Sequence, residues 1–149
     1  MPIYLKIKDI KGSVTKKGRE NWIEVLSVEH EVISPRDAAS GQATGKRQHR
    51  AFVVTKAIDQ ATPALYSALT KNQVLNDWLL EATSVELTGV EKVTYRVKLG
   101  NAFVSGVAFQ GPGQTDLDRG KLVEGVSFVY EKIEWTWVPT NTIASDQWS

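Results

Sequence analysis

Along most of this chain hydrophobic and polar positions alternate with a period of two. Only one stretch changes to the period of a helix. Ile3, Leu5 and Ile7 alternate with Tyr4, Lys6 and Lys8, which predicts a first strand with one wet face. Gly12 to Asn21 is a polar, basic connection. Trp22 to Ile33 reads as one long strand, in whose second half Leu26, Val28 and Val32 oppose Ser27, Glu29 and Glu31. Arg50 to Ile58 is the next strand and leads into the helical stretch. In Val74 to Leu87 the first half, VLNDWLLEA, also suits a helix. The alternation of Thr83, Val85 and Leu87 against Ser84 and Glu86 favours a strand for the second half.

Val93, Tyr95, Val97 and Leu99 then alternate with Thr94, Arg96 and Lys98, between turns at Thr88-Gly89 and Gly100-Asn101. Ala102 to Gln110 is a further strand, and Gly111 to Gly125 a polar loop. The last strand, Val126 to Val138, changes phase. Val126, Phe128 and Tyr130 point one way, and Ile133, Trp135 and Trp137 the other. Such a swap implies a bulge or a strand that passes from one sheet to another. Pro139 ends it, and residues 140–149 read as a flexible tail.

The helix is expected over about 62–72. Thr62 suits the cap, Pro63 the first helical position, and Lys71 and Asn72 the C-terminal end. Leu65, Ala68 and Leu69 share one face by the three-and-four spacing. Many strands and one helix imply a mainly β fold, a barrel or closed sandwich whose open face or mouth the helix covers. Ser34 to Gln48 interrupts this pattern with nothing apolar larger than alanine. A structureless connection of that length is uncommon in a compact domain and is usually functional or disordered.

A length of 149 residues fits one domain. There is no run long enough for a membrane helix, and the alternating start does not read as a cleavable signal peptide. The absence of cysteine excludes disulfides, thiolate zinc sites and cysteine nucleophiles. Residues 1–56 hold 11 basic and 6 acidic side chains, and residues 57–149 hold 7 and 11, so a net of +5 faces a net of −4. One reading is a molecule with two oppositely charged surfaces, suited to head-to-tail contact with its own copies.

The candidate chemistry is thin. Gly41 to Arg47 resembles a phosphate loop but is one residue short between its glycines, and Arg47 stands where a metal-binding hydroxyl belongs. Asp116 to Gly120 begins like a calcium loop, but Lys121 and Ser127 replace the needed glycine and glutamate. His30 falls in the apolar phase of its strand, as a core or interface group, and His49 beside Arg47 and Arg50 reads as solvated. Neither histidine accompanies a G-x-S-x-G nucleophile. One basic cluster, KRQHR, is too little to argue for nucleic acid. Trp135 and Trp137 could line a sugar platform, but such residues more often form a core or a subunit contact.

Five stretches taken in order, IYLKIKDIKG, SVEHEVISPRDAASGQATGKRQH, ATPALYSAL, NAFVSGV and VSFVYEKIEWTWV, resemble the haemolysin-coregulated protein (Hcp) family of bacterial type VI secretion systems. The resemblance spans nearly the whole chain. It implies one domain over 1–139, a small two-sheet β-barrel with one short flanking helix, and no catalysis or cofactor. It implies homohexameric rings that stack into a hollow tube, made in the bacterial cytoplasm and expelled by a contractile sheath. A spike protein at the tip and small effectors in the lumen are the further partners implied, with no nucleic acid and no membrane insertion. Within that picture Ser34, Pro35, Arg36, Asp37, Gly41, Gly45, Lys46 and Arg47 are expected to form a ring-stacking loop. Thr62, Pro63, Leu65, Leu69, Trp135 and Trp137 are expected to serve the fold or subunit contacts.

Overall fold

The structure, a computed structural model, describes residues 2–112 and 122–147. It is mainly β with one helix. The strands are β1 (Ile3–Lys6), β2 (Ile23–Val25), β3 (Ser27–Glu29), β4 (Val32–Ile33), β5 (Gln48–His49) and β6 (Phe52–Ala57). After helix α1 (Ala61–Thr70) come β7 (Trp78–Val85), β8 (Glu91–Gly100), β9 (Phe103–Pro112), β10 (Leu122–Val129), β11 (Lys132–Trp137) and β12 (Thr142–Gln147). A six-stranded antiparallel sheet runs β12-β11-β8-β7-β1-β2, a four-stranded one runs β3-β6-β10-β9, and β4 pairs with β5 alone.

The expected long strand from Trp22 to Ile33 is in fact three short strands in three sheets. The break comes at Leu26, whose N–H donates to Thr55 O at 2.7 Å, so β2 stays with the large sheet while β3 joins the small one. The last strand divides likewise: β10 lies in the small sheet and β11 in the large. Its phase change marks that passage, at Tyr130 and Glu131. Residues 142–147 of the expected tail do not hang loose. Thr142–Gln147 pairs with β11 along its whole length, after a turn in which Asn141 takes a left-handed conformation at φ 53°.

The core sits between the sheets. Leu5, Ile23, Val54, Leu65, Val126, Phe128 and Ile133 are wholly buried, and Trp78 meets Phe52 and Phe128 edge to face at 5.2 and 5.4 Å. Burying one such side chain is worth roughly 1.5–3 kcal/mol. The wet face expected of the first strand is only partly wet, because Tyr4 is buried beneath the Arg19 guanidinium, 4.8 Å above its ring. Gly12 is required by close approach: a Cβ there would lie 2.2 Å from Trp22 O.

Helix α1 begins one residue earlier than expected, and Thr62 is not its cap. Asp59 Oδ1 accepts from the Ala61 N–H at 2.9 Å instead. The Thr62 hydroxyl is turned inward to a buried carboxylate. Pro63 is the third helical residue and is exposed, still among the first-turn positions that lack an intrahelical acceptor. Leu65 and Ala68 are buried and Leu69 packs against the core, as the spacing requires. Asn72, at φ 49°, and the Gln73 N–H bonded to Ala68 O close the C-terminal end.

Candidate assembly surface

Ser34 to Gln48 forms an arm built as an irregular hairpin. Its legs start at β4 and β5, where Val32 pairs with His49 and Ile33 with Gln48. Further out, Arg36 bridges to Ala43, the Thr44 N–H donates to Pro35 O at 2.9 Å, and Asp37 N–H to Gln42 O at 2.7 Å. The tip is closed by Asp37, whose carboxylate accepts from the Ser40 hydroxyl at 2.6 Å and the Ser40 N–H at 3.2 Å. Those donors hold the Asp37 carboxyl below its ordinary value. Gly41, at φ 73°, supplies the left-handed residue that the turn needs. Ser34, Arg36, Asp37, Gly41, Gly45, Lys46 and Arg47 are exposed, and Pro35 is half-buried.

The base of the arm is anchored by Arg47 and His49 on two partners that the sequence did not single out, Asp146 and Tyr130. Arg47 grips Asp146 of β12 with two nitrogens, Nη2 donating to Oδ1 at 2.8 Å and Nε to Oδ2, and its Nη2 also reaches Gln147 O at 3.0 Å. His49 Nε2 lies 2.7 Å from the same carboxylate, which can only accept, so that nitrogen carries the hydrogen. His49 Nδ1 and His30 Nε2 each lie 2.7 Å from the Tyr130 hydroxyl. The Arg47 and His49 hydrogen bonds draw the Asp146 carboxyl down to about 2. Burial pushes the Tyr130 hydroxyl up to about 12 and lowers His30. His49, expected to be solvated, has a wholly buried side chain because β5 tucks it against Tyr130. Arg47, expected to face another copy, is engaged within its own chain.

A second buried group fixes the helix. Lys56 and Glu124 are wholly buried partners facing each other across β6 and β10. Lys56 Nζ donates to Glu124 Oε2 and to Asp59 Oδ1, the latter at 2.9 Å, and Thr62 Oγ1 donates to Glu124 Oε2 at 2.7 Å. The start of α1 is thereby tied to the small sheet. A signal for this pair was present. Lys56 falls in the buried phase of Phe52 and Val54, and Glu124 in that of Val126 and Phe128. Of the tryptophan pair, Trp135 packs against the core while Trp137 is half exposed. The stretch Asp116 to Gly120 lies outside the described residues.

Two sheet edges complete the surface. β12 and β2 end the six-stranded sheet and β9 and β3 the four-stranded one; β2 runs on into β3 through Leu26, whereas β12 and β9 have, among the described residues, no strand on the outer side. Exposed apolar side chains accompany them, Phe109 on β9 and Ile143 on β12. Unpaired edges of this kind are covered in stable proteins or used for association.

Comparison with known proteins matches residues 4–137 to the family described as type VI secretion system effector, Hcp. A protein of Pseudomonas aeruginosa named major exported protein is 34% identical over 146 residues, covering 95% of this chain and 83% of that one. Among solved structures, a mutant Hcp1 protein from E. coli EAEC 042 is similar at 38% identity and a TM-score of 0.87, covering 100% of this chain and 99% of the other. The secreted protein Hcp3 from Pseudomonas aeruginosa is similar at 25% identity and a TM-score of 0.78, covering 99% and 98%.

Proposed function

The chain belongs to the Hcp family of type VI secretion proteins, and from that premise we propose that it is the subunit of a secreted tube. Six copies close into a ring, and rings stack into a hollow tube that a contractile sheath expels. Small effector proteins ride in the lumen and a spike protein caps the end. The protein acts by assembly and catalyses no reaction.

The observation that carries this reading is that two edges, β12 of one sheet and β9 of the other, have no strand on the outer side among the described residues. Different surfaces at the two ends of a subunit suit a heterologous contact, and such contacts close into rings when the rotation permits. The arm suits the second contact, between rings. It extends from the subunit, is closed by its own turn, and contributes no residue to the buried core. Ordering its backbone costs about 1–2 kcal/mol per residue, and contacts with the next ring offset part of that.

Native mass spectrometry of the purified protein tests the ring. The expected mass is that of six 16.5 kDa chains, and a monomer at micromolar concentration overturns the reading. Shortening the arm tests the stacking. Replacing residues 37–42 by a two-residue turn keeps Arg47 and His49, and should leave rings intact while abolishing tubes in negative-stain micrographs. Tubes of ordinary length from the shortened protein would remove the arm from the ring-to-ring contact.

A further inference from the structure

Both legs of the arm end on one hydroxyl. His30 lies just before β4 and His49 in β5, and each places a ring nitrogen 2.7 Å from Tyr130 Oη. From His49 the contacts run on to Asp146, which is also where Arg47 is held. Arg47 and His49 stand two apart on one extended leg, so their side chains leave it on the same side and one carboxylate reaches both. The guanidinium meets the carboxylate with two nitrogens on two oxygens, an arrangement that fixes orientation as well as distance. Beyond this base the arm has no comparable tether among the described residues. The bonds found from Pro35 to Thr44 are all internal to the arm.

We infer that Asp146 is a positioning residue for ring stacking: by clasping Arg47 and His49 it sets the direction in which the arm leaves the subunit towards a second copy of this chain. This rests on the reading that the arm joins rings. The mechanism is one of lever and pivot. Among the described residues the arm's tip is held only through its base, so a loose base spreads the tip over many directions and a stacked ring must then order it. The clasp removes that freedom beforehand, which is how preorganisation raises affinity. Its location adds a consequence. Asp146 lies on the edge strand β12, so a neighbour that docks on that edge within a ring steadies the strand that aims the arm.

The test uses the full-length protein and four variants: Asp146→Asn, Arg47→Lys, the exchange double variant Arg47→Asp/Asp146→Arg, and the tip variant Arg36→Ala/Lys46→Ala. Ring mass is read by native mass spectrometry, tube length by electron microscopy, and arm order by hydrogen exchange at the amides of Asp37, Gly41 and Thr44. Asp146→Asn should keep the ring mass, shorten or abolish tubes, and speed arm exchange about tenfold, the signature of a locally opened segment. Arg47→Lys keeps the charge but not the fork, and should show the same change more weakly. The exchange variant should recover tubes relative to Asp146→Asn, which a general loss of stability would not produce. Arm exchange in Asp146→Asn equal to wild type, or tubes of wild-type length with arm exchange raised, overturns the proposal. Should Asp146→Asn fail to form rings, Arg47→Lys leaves β12 untouched and decides by the same two readings. If the tip variant stacks normally, the stacking reading is what fails, and the exchange data still show whether Asp146 holds the arm.

Discussion

Replacing Lys56 by methionine should cost far more than its place on a strand suggests. The side chains of Lys56 and Glu124 are both wholly buried, and Lys56 supplies Glu124 with its only cationic partner among the described residues. Methionine has nearly the same length, so little cavity is created. What is lost is the counter-charge. Breaking a buried pair by removing one partner costs about 3–5 kcal/mol, because the other charge stays buried. After the change Glu124 keeps one hydrogen bond, from Thr62 Oγ1 at 2.7 Å, and Asp59 loses its contact at 2.9 Å. With a denaturation slope of about 2 kcal/mol/M, the urea midpoint should fall by roughly 2 M. The assay is urea unfolding followed by tryptophan fluorescence, at one fixed protein concentration because subunit association adds its own stabilisation. The double variant Lys56→Met/Glu124→Leu removes both charges and should regain most of the loss, since apolar replacement of a buried pair is often neutral. A loss under about 1 kcal/mol for Lys56→Met, or a double variant no more stable than the single one, would refute the claim that this pair is dry and mutually dependent.

Three further outcomes follow from other contacts. Leu65→Ala empties a wholly buried site beneath α1 and should cost about 2–5 kcal/mol by thermal or urea unfolding; a cost below that range would mean that the helix resettles on the sheet. Gly12→Ala forces a Cβ to within 2.2 Å of Trp22 O and should destabilise by about 1–3 kcal/mol; unchanged unfolding would show that the Gly12–Trp22 approach relaxes freely. The Asp146 carboxyl is held at about 2, below its ordinary 3.8, so its contribution to the clasp is complete above 3.8 and fades as pH falls through about 2. The stability gap between wild type and Asp146→Asn should therefore be constant from pH 7 to pH 5 and shrink only in stronger acid; a gap already closed at pH 5 contradicts it.

The alternation of the chain made most strands legible, and so did the helix, because Leu65, Ala68 and Leu69 can share a face only in that conformation. The boundary missed at Leu26 has a legible cause. From Trp22 to Ile33 the apolar positions shift from Ile23 and Val25 to Leu26, Val28 and Val32, one step out of phase, and the chain changes partners at that shift; the adjacent apolar pair Val25-Leu26 disguises the break as one continuous strand. At Val126 to Val138 the same event leaves the same mark, with Tyr130 and Ile133 on opposite phases. Thr142–Gln147 reads as a tail because every residue of that edge strand but Asp146 is exposed, so burial never writes its pattern there. His49 could not be joined from sequence to Tyr130 and Asp146, 81 and 97 positions away, and only the register of β11 with β12 and of β4 with β5 brings them together.

The uneven charge along the chain has a different meaning once these pairs are placed. The sequence invites a molecule with two opposed faces, basic from its first 56 residues and acidic from the rest. Instead the two populations meet inside each subunit: Lys16 with Glu91, Arg19 with Glu81, Arg47 with Asp146 and Lys56 with Glu124. Each pair ties the first part of the chain to the later strands, so the asymmetry is spent on folding. On the arm, Arg36 and Lys46 form no ion pair among the described residues. Exposed ion pairs contribute about 0–1 kcal/mol each. Two such cations on each of six copies make twelve at a ring-to-ring boundary, about 0–12 kcal/mol in all, so the charge at the tip can decide stacking only if every arm presents it in register. That makes the direction of the arm, set by the clasp at Asp146, the condition on which the charge at its tip acts.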